Sequence, residues 1–538
     1  MKHHALGLLL LAGTTALDPA VDANAAARPS SNADDRLKAL EQELQDVHAQ
    51  LADLKRSQSD QYGDVSRQFS NLVQVRLDNG RPTFTSADSN FSAAIRALVQ
   101  FDWGTYMQST SARSLPAAFG PDLSSGTNFR RVYLGIQGKA FGNWSYNANF
   151  DFGGSGGTET SGHVQSVYVQ FDGLAPFAFR IGAYPPPANI EDSTSAGDTI
   201  FLERNAPSDL QRNLAGGDGR DAVSLLYAGE ELFGAISYTG GKVQDSAVFD
   251  EQQALLGRLS YRALHDDASN LVLGVNGTYV IRPANAVATG LPNLSNTPGA
   301  PALNSITLSD PPELTIDSNG IRLANTGALP TRHVTQWGVE AAGNFENFYA
   351  QAGYYGFEVE RAPVAFKVFS SATTSATEIV QPSNNNMSGW YVQASWFPTV
   401  EQKPYSVATG AFTAPKVLHP FSFGENGGWG ALELAGRFSD LNLNSHVFDS
   451  SNVVTAWSGA NRTFTFFNTE RGGEQRILTA ELNWYPNGFV KFGFAYQYIQ
   501  VSRLQAPAAV TTTGMPILPT LNGGQNLSTF AVRTQFSL

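Results

Sequence analysis

The feature that most constrains this chain is alternation. From about residue 90 to the C-terminus, segment after segment places large or apolar side chains on one parity and polar ones on the other, ending with Phe530-Ala531-Val532-Arg533-Thr534-Gln535-Phe536-Ser537-Leu538. Successive side chains of a strand point to opposite faces, so each such segment must meet two different environments. A soluble sheet would cover its apolar face with helices or a second sheet, and little helical patterning is present to do so. A transmembrane barrel needs no cover. Its outer face meets lipid, its inner face meets water, and closure satisfies every backbone donor and acceptor.

Sixteen strand candidates follow from this pattern, near 90–107, 128–140, 144–153, 163–172, 177–185, 221–228, 232–240, 254–263, 270–281, 332–345, 347–361, 387–397, 428–441, 475–485, 490–501 and 528–538. The connections between them alternate long and short, with tight ones at 141–143, 172–176, 229–231, 346 and 486–489. That rhythm predicts brief periplasmic turns and extended external loops. The run 398–427 breaks it, standing where a brief turn belongs, so it either hides two short strands or is an elaborated turn. Trp144, Trp396, Trp429 and Trp484 all lie beside the predicted short turns, where an amphipathic indole sits at headgroup level. The expected fold is all-β: an antiparallel transmembrane β-barrel of about 16 strands over 90–538.

Ahead of it, Lys2, His3 and His4, the apolar run Ala5 to Gly13 and an Ala23-Asn24-Ala25 cleavage candidate read as a signal peptide over 1–25. Leu37, Leu40, Leu44, Val47, Leu51 and Leu54 then form an a/d seam, which predicts a short periplasmic coiled-coil helix over 31–60. A helix this short is marginal alone, so the seam implies self-association or docking, trimeric if the barrel is. Residues 61–89 read as linker. No other stretch approaches the roughly 18 apolar residues of a membrane helix, so integration requires the barrel.

Glycine (51 residues), 34 Phe, 18 Tyr and only 15% charged residues fit a barrel with long polar loops. The absence of cysteine excludes thiolate catalysis and Cys-ligated metals, and a formal charge of −12 argues against nucleic acid. Gly153-Gly154-Ser155-Gly156-Gly157 matches the nucleophile-elbow spelling, but that chemistry needs a strand-to-helix turn, and here two strands are joined. An outer-membrane hydrolase would need Ser and His inward on adjacent strands, whereas Ser166 and His163 fall on opposite parity. The histidines are scattered, with no pair at metal-ligand spacing. No catalytic residue, metal or cofactor is expected.

The connection 186–220 is the third external loop and is too long to stand without a surface to fold against. The barrel lumen is the nearest, which makes this loop the expected constriction, with Arg204, Arg212, Arg220, Glu203 and Asp209 as its charged residues. Glu191, Asp192, Asp198 and Asp218 add acid, so the loop offers a transverse field and not a pure anion ladder. Parity places Arg96, Arg131, Lys139, Arg180, Arg258, Arg262, Arg437, Lys491 and Arg533 on the lumen wall, against Asp102, Asp151, Glu340, Glu433 and Glu481. Such a wall is net basic and favours anions, each arginine presenting a fork that matches phosphate or carboxylate oxygens. The same residues could instead pair with neighbouring acids and brace the barrel. Arg130 falls on the outward parity, as a headgroup contact.

The stretches 389–397 (GWYVQASWF), 427–439 (GGWGALELAGRFS) and 482–486 (LNWYP) resemble the C-terminal half of the phosphate-selective porin O and P family. Arg130-Arg131-Val132-Tyr133-Leu134-Gly135 and Glu203-Arg204-Asn205-Ala206-Pro207-Ser208-Asp209 are similar to its second strand and third-loop region. The resemblance covers nearly all of 90–538. It implies a homotrimeric, sixteen-stranded diffusion channel in outer-membrane lipid, its third loop folded inward and its basic residues guiding small anions or other hydrophilic solutes. A general, weakly selective porin whose coiled coil tethers it to a periplasmic partner remains the alternative.

Overall fold

In the computed structural model, residues 31–70, 73–78, 80–109, 121–154, 162–245, 250–266, 268–285, 304–369, 375–424, 427–449, 453–458, 461–505, 521–522 and 524–538 are described. The signal segment 1–25 and Ser155 of the glycine run lie outside them. Two units are present, one up to Leu72 and one from Val73 onward. The first contains α1, Ser31–Ser70, whose six seam residues from Leu37 to Leu54 are all exposed. Helix therefore continues past the expected limit at 60. The segment read as linker also holds a β-hairpin, Gln74–Asp78 with Arg81–Thr85, turned at Gly80 with φ of +80° and paired to the first barrel strand through Thr83–Thr85.

Sixteen strands form the barrel: β1 Ser92–Met107, β2 Gly126–Ala140, β3 Trp144–Asp151, β4 His163–Leu174, β5 Phe177–Ala183, β6 Arg220–Ala228, β7 Leu232–Lys242, β8 Gln253–His265, β9 Ser269–Arg282, β10 Ala324–Phe345, β11 Phe348–Arg361, β12 Asn385–Trp396, β13 Ala431–Ser445, β14 Glu470–Tyr485, β15 Val490–Ser502 and β16 Asn526–Ser537. Each pairs antiparallel with its predecessor, and β16 returns to β1 with Phe530 opposite Thr105 and Phe536 opposite Val99. Closure pairs each of the sixteen strands on both sides. The outer face follows the parity read from sequence. Leu225, Ile236, Leu259, Val339 and Leu478 are exposed, while their neighbours Ser224, Ser237, Ser260, Glu340 and Thr479 are buried. That inverts the rule for a soluble protein, because here the exposed face meets hydrocarbon, where an Arg or Lys at the midplane costs about 2–4 kcal/mol.

The inner face departs from the expected water-filled cylinder. Three connections fold into the lumen through their described residues: the third external loop (184–219), the fifth (304–323) and the turn between β12 and β13 (397–424). That turn is elaborated and adds no barrel strand; it holds a small hairpin, Tyr405–Ser406 with Ala411–Phe412. The third loop carries two helices, α2 Ile190–Ser193 and α3 Ala206–Ala215. Asn205 caps α3 by accepting from Ser208 N at 2.9 Å, and Pro207 occupies its first turn. Ala206, Leu210 and Leu214 lie one turn apart and pack with Tyr355, Phe357 and Leu441 of the wall. The approach is tight at Gly389, where a Cβ would fall 2.9 Å from Pro207. The β12–β13 turn adds Ala411 and Phe412 to Ile190, Ile200, Phe201 and Tyr349. Burying one such aromatic side chain is worth about 1.5–3 kcal/mol. Loops and wall thus share a hydrophobic core inside the barrel, and the two polar cavities of the lumen lie on the remaining side, along β1 to β7.

Candidate functional site: the permeation path

Two cavities mark that polar side. The outer one, of about 420 Å³, is lined by Arg131, Glu203, Asp209, Lys242, Asp310 and Arg322 among others. The inner one, of about 370 Å³, is lined by Arg81, Arg96, Tyr133, Tyr168, Arg180 and Asn147 among others. Arg204, Arg212 and Asp218 line both. These three side chains, all from the third loop, stand at the junction of the two cavities.

Arg212 is fixed from two sides, its Nε donating to Asp192 and its Nη2 to Asp218 at 2.7 Å. Burial alone would disfavour its charge, but the two carboxylates hold its pKa well above the ordinary value. Asp218 is held below its ordinary value in turn: burial opposes this, and Arg212 and Arg204 outweigh it. Arg204 differs. It donates to the carbonyls of Glu191 (3.2 Å) and Thr194 (3.4 Å), and no carboxylate lies within ion-pair distance of it among the described residues. At the junction one guanidinium is therefore tied into ion pairs, while the other is bonded to carbonyls and feels Asp218 only at longer range.

Glu203 organises the outer side. Its carboxylate accepts from Arg130 Nε at 2.8 Å, Arg131 Nη2 at 3.2 Å, Arg533 Nη2 at 2.9 Å and Thr315 of the fifth loop at 3.2 Å. Burial would raise its pKa, but Arg130, Arg131 and Arg533 bring it well below the ordinary range. Arg533 also grips Asp102 through two bonds of 2.7 and 2.6 Å. Arg130 is thus no headgroup contact. The pairing of β1 with β2 slips between Gln100 and Phe101, so Arg131 opposes Gln100 while Phe129 opposes Phe101, and Arg130 is the extra residue. A bulge of this kind re-aims a side chain, and both arginines reach the same carboxylate. A second slip, between Asn149 and Phe150, does the same to β4: His163 lines the outer cavity and Ser166 the inner one, against the parity expected of them. The Ser166 hydroxyl is 2.6 Å from Asn147 Oδ1 and makes no pair with His163.

The remaining basic residues divide by task. Arg96 and Arg180 line the inner cavity and Arg131 the outer one. Four others point inward and fasten loops. Arg258 pairs with Glu340 and donates to Gly410 O at 2.8 Å; Arg437 pairs with Glu313 and donates to Glu203 O at 2.9 Å. Lys491 donates to Thr199 O and Ile200 O, and Arg533 to Leu202 O. Arg220, expected at the constriction, lines neither cavity and braces the end of α3 through Gly216 O at 3.0 Å and Gly240 O at 2.9 Å. Arg262 bonds Asn270 and lies 5.6 Å from the Tyr405 ring, while Lys139 is exposed near the short-turn rim. Sequence reasoning passed over Arg81, Lys242 and Arg322. They lie in the hairpin, at a strand end and in the fifth loop, where no parity rule applies.

The family of phosphate-selective porins O and P matches residues 118–513. The chain belongs to that family. Porin O of Pseudomonas aeruginosa is 23% identical over 456 residues, 81% of this chain and 88% of that protein. Among solved structures, the anion-selective porin of Comamonas acidovorans (10% identity, TM-score 0.43, 83% of this chain and 100% of that one) is similar in chain path. So is the trimer form of Vibrio cholerae OmpT (8% identity, TM-score 0.42, 83% and 99%). Family membership together with the closed sixteen-stranded barrel makes this protein an outer-membrane channel and not an enzyme.

Proposed function

We propose that this porin conducts small anions, with phosphate-class oxyanions among them, along the side of the barrel bounded by β1 to β7. The observation that carries the reading is Arg204: a guanidinium at the junction of the two cavities, held by carbonyls and opposed by no carboxylate ion pair among the described residues. Acids beside it are already engaged, Glu203 by three arginines and Asp192 and Asp218 by Arg212. Arg322 and Lys242 precede Arg204 on the outer side, and Arg180, Arg96 and Arg81 follow it on the inner side. On the inner side a cation meets Arg204, Arg180, Arg96 and Arg81, none of them in an ion pair among the described residues, whereas an anion is handed from one donor to the next. The name of the family supports the phosphate class. A homotrimer is the assembly this reading takes, with α1 in the periplasm presenting its exposed seam to two further copies.

Reversal potentials across asymmetric KCl test the preference. The wild type favours chloride, and Arg204→Gln reduces the ratio of anion to cation permeability about fivefold, the effect of roughly 1 kcal/mol from one unit charge in water-like surroundings. Arg220→Gln leaves it at the wild-type value, since Arg220 lines neither cavity. A cation-preferring wild type, or equal shifts in the two variants, would reject the assignment.

A further inference from the structure

The inner cavity is built for more than a bare ion. Its volume of about 370 Å³ falls at the lower end of small-molecule sites, roughly 300–1,000 Å³. A single inorganic oxyanion could touch only one wall of it at a time. The walls differ in chemistry. On one side, Arg180 lies over the Tyr168 ring at 4.3 Å and the Tyr184 ring at 5.2 Å, the two rings meeting edge-on at 5.5 Å. The Arg180 Nε is spent on Gln170 at 2.7 Å, which leaves both terminal nitrogens for a ligand. Arg96 makes one bond, to Gln137 at 3.2 Å, and is likewise left with donors. Beside them stand amide and hydroxyl groups on β3 and β4. Asn149 donates to Gln165 at 3.0 Å but its Oδ1 is buried without a partner, and Asn147 accepts from Ser166 while donating to nothing. The hydroxyls of Tyr133 and Tyr168, which also line the cavity, make no hydrogen bond among the described residues.

We infer that this cavity is a binding station for anionic monosaccharides. Arg96 and Arg180 hold the anionic group, the ring of Tyr133 and the side of the Tyr168 ring that Arg180 leaves uncovered take the C–H face of the sugar ring, and Asn147 with the tyrosine hydroxyls bonds the ring hydroxyls. Tyrosine suits this role because it combines an apolar face with a polar tip. An aryl carboxylate would place an apolar ring against these amides and hydroxyls and leave them desolvated without partners, which costs affinity. Inorganic phosphate satisfies the arginines and leaves the ring platforms unused. The inference rests on the anion-channel reading above, and adds a station on the inner side of Arg204.

The test uses the full-length porin in planar bilayers, with chloride current measured against added glucuronate, glucose 6-phosphate, glucose or inorganic phosphate. Glucuronate and glucose 6-phosphate are expected to block the current saturably, and at lower concentrations than inorganic phosphate or neutral glucose. The two acids separate a carboxylate from a phosphate as the preferred anionic group. Tyr168→Leu is expected to weaken the glucuronate block about three- to tenfold, the range of an aromatic contact, and the phosphate block by less than about twofold. Tyr168→Phe keeps the ring platform and is expected to stay within about threefold of wild type, the range of one lost hydroxyl bond. An anion-preferring wild type that glucuronate blocks no better than phosphate, or equally well with and without the Tyr168 ring, would overturn the station. A cation-preferring wild type would instead overturn the reading beneath it.

Discussion

Replacing Glu203 by glutamine keeps the length of the side chain and removes one negative charge from the outer side of the junction. Three guanidinium groups converge on that carboxylate, at 2.8 Å from Arg130, 3.2 Å from Arg131 and 2.9 Å from Arg533. An anion passing at about 4 Å would gain about 1 kcal/mol from the unmasked charge in water-like surroundings, and up to about 4 kcal/mol at the lower dielectric of a partly filled lumen. The smaller figure alone predicts about a fivefold rise in anion over cation permeability. Breaking a buried ion cluster by removing one partner costs about 3–5 kcal/mol, which could release the third loop. It stays in place here because Arg533 keeps both bonds to Asp102, and because Arg437 and Arg533 still hold the Glu203 and Leu202 carbonyls. Reversal potential in asymmetric KCl reads the first effect, and the uniformity of single-channel steps reads the second. Uniform steps with an unchanged or cation-shifted reversal potential would refute the reasoning.

The same group sets the response to acid. Its carboxylate is held well below the ordinary value of 4.5, so the charge and the anchoring it supplies are complete above that value. They are lost only as pH falls through the lowered pKa. Wild-type selectivity should hold from neutral pH through the ordinary carboxylate range and rise toward anions only below it, and Glu203→Gln should show a smaller acid step, since Asp218 still titrates.

Two further expectations concern the inserted turn and the helix. Phe412→Ala removes a fully buried ring that joins the β12–β13 turn to Ile190, Ile200 and Tyr349, a loss of about 3–5 kcal/mol, and should raise conductance and open the turn to protease from the short-turn side. Wild-type conductance and protease resistance would show that the turn is held elsewhere. Deleting residues 31–60 removes the exposed seam and should lower the trimer fraction in detergent, measured by sedimentation, with single-channel steps unaltered. An unchanged trimer fraction would separate α1 from assembly.

The barrel was legible because strand parity is a local property. Leu225 beside Ser224 or Val339 beside Glu340 declares which side is lipid whatever lies across the lumen. The third loop was legible for a similar reason, since a polar run of that length needs a surface. What failed was the inference from inward to water-lined. Arg258, Arg437, Lys491 and Arg533 do point inward, yet loops far away in sequence meet them there with Gly410 O, Glu313, Ile200 O and Leu202 O. Parity also fails at each bulge, and the two that matter put Arg130 beside Arg131 and His163 on the outer cavity's wall.

The sequence by itself determined which face of the strands meets lipid, the number and order of the strands and one of the loops that enter the lumen, because a two-residue repeat and connection length are written locally. Only the tertiary structure decided which arginines are spent as fasteners and which, like Arg204, stay out of ion pairs on the path. That choice depends on carbonyls and carboxylates brought from as many as 431 positions away, as Asp102 is to Arg533. No local pattern records such a partner, so charge is legible in the chain while its compensation is not.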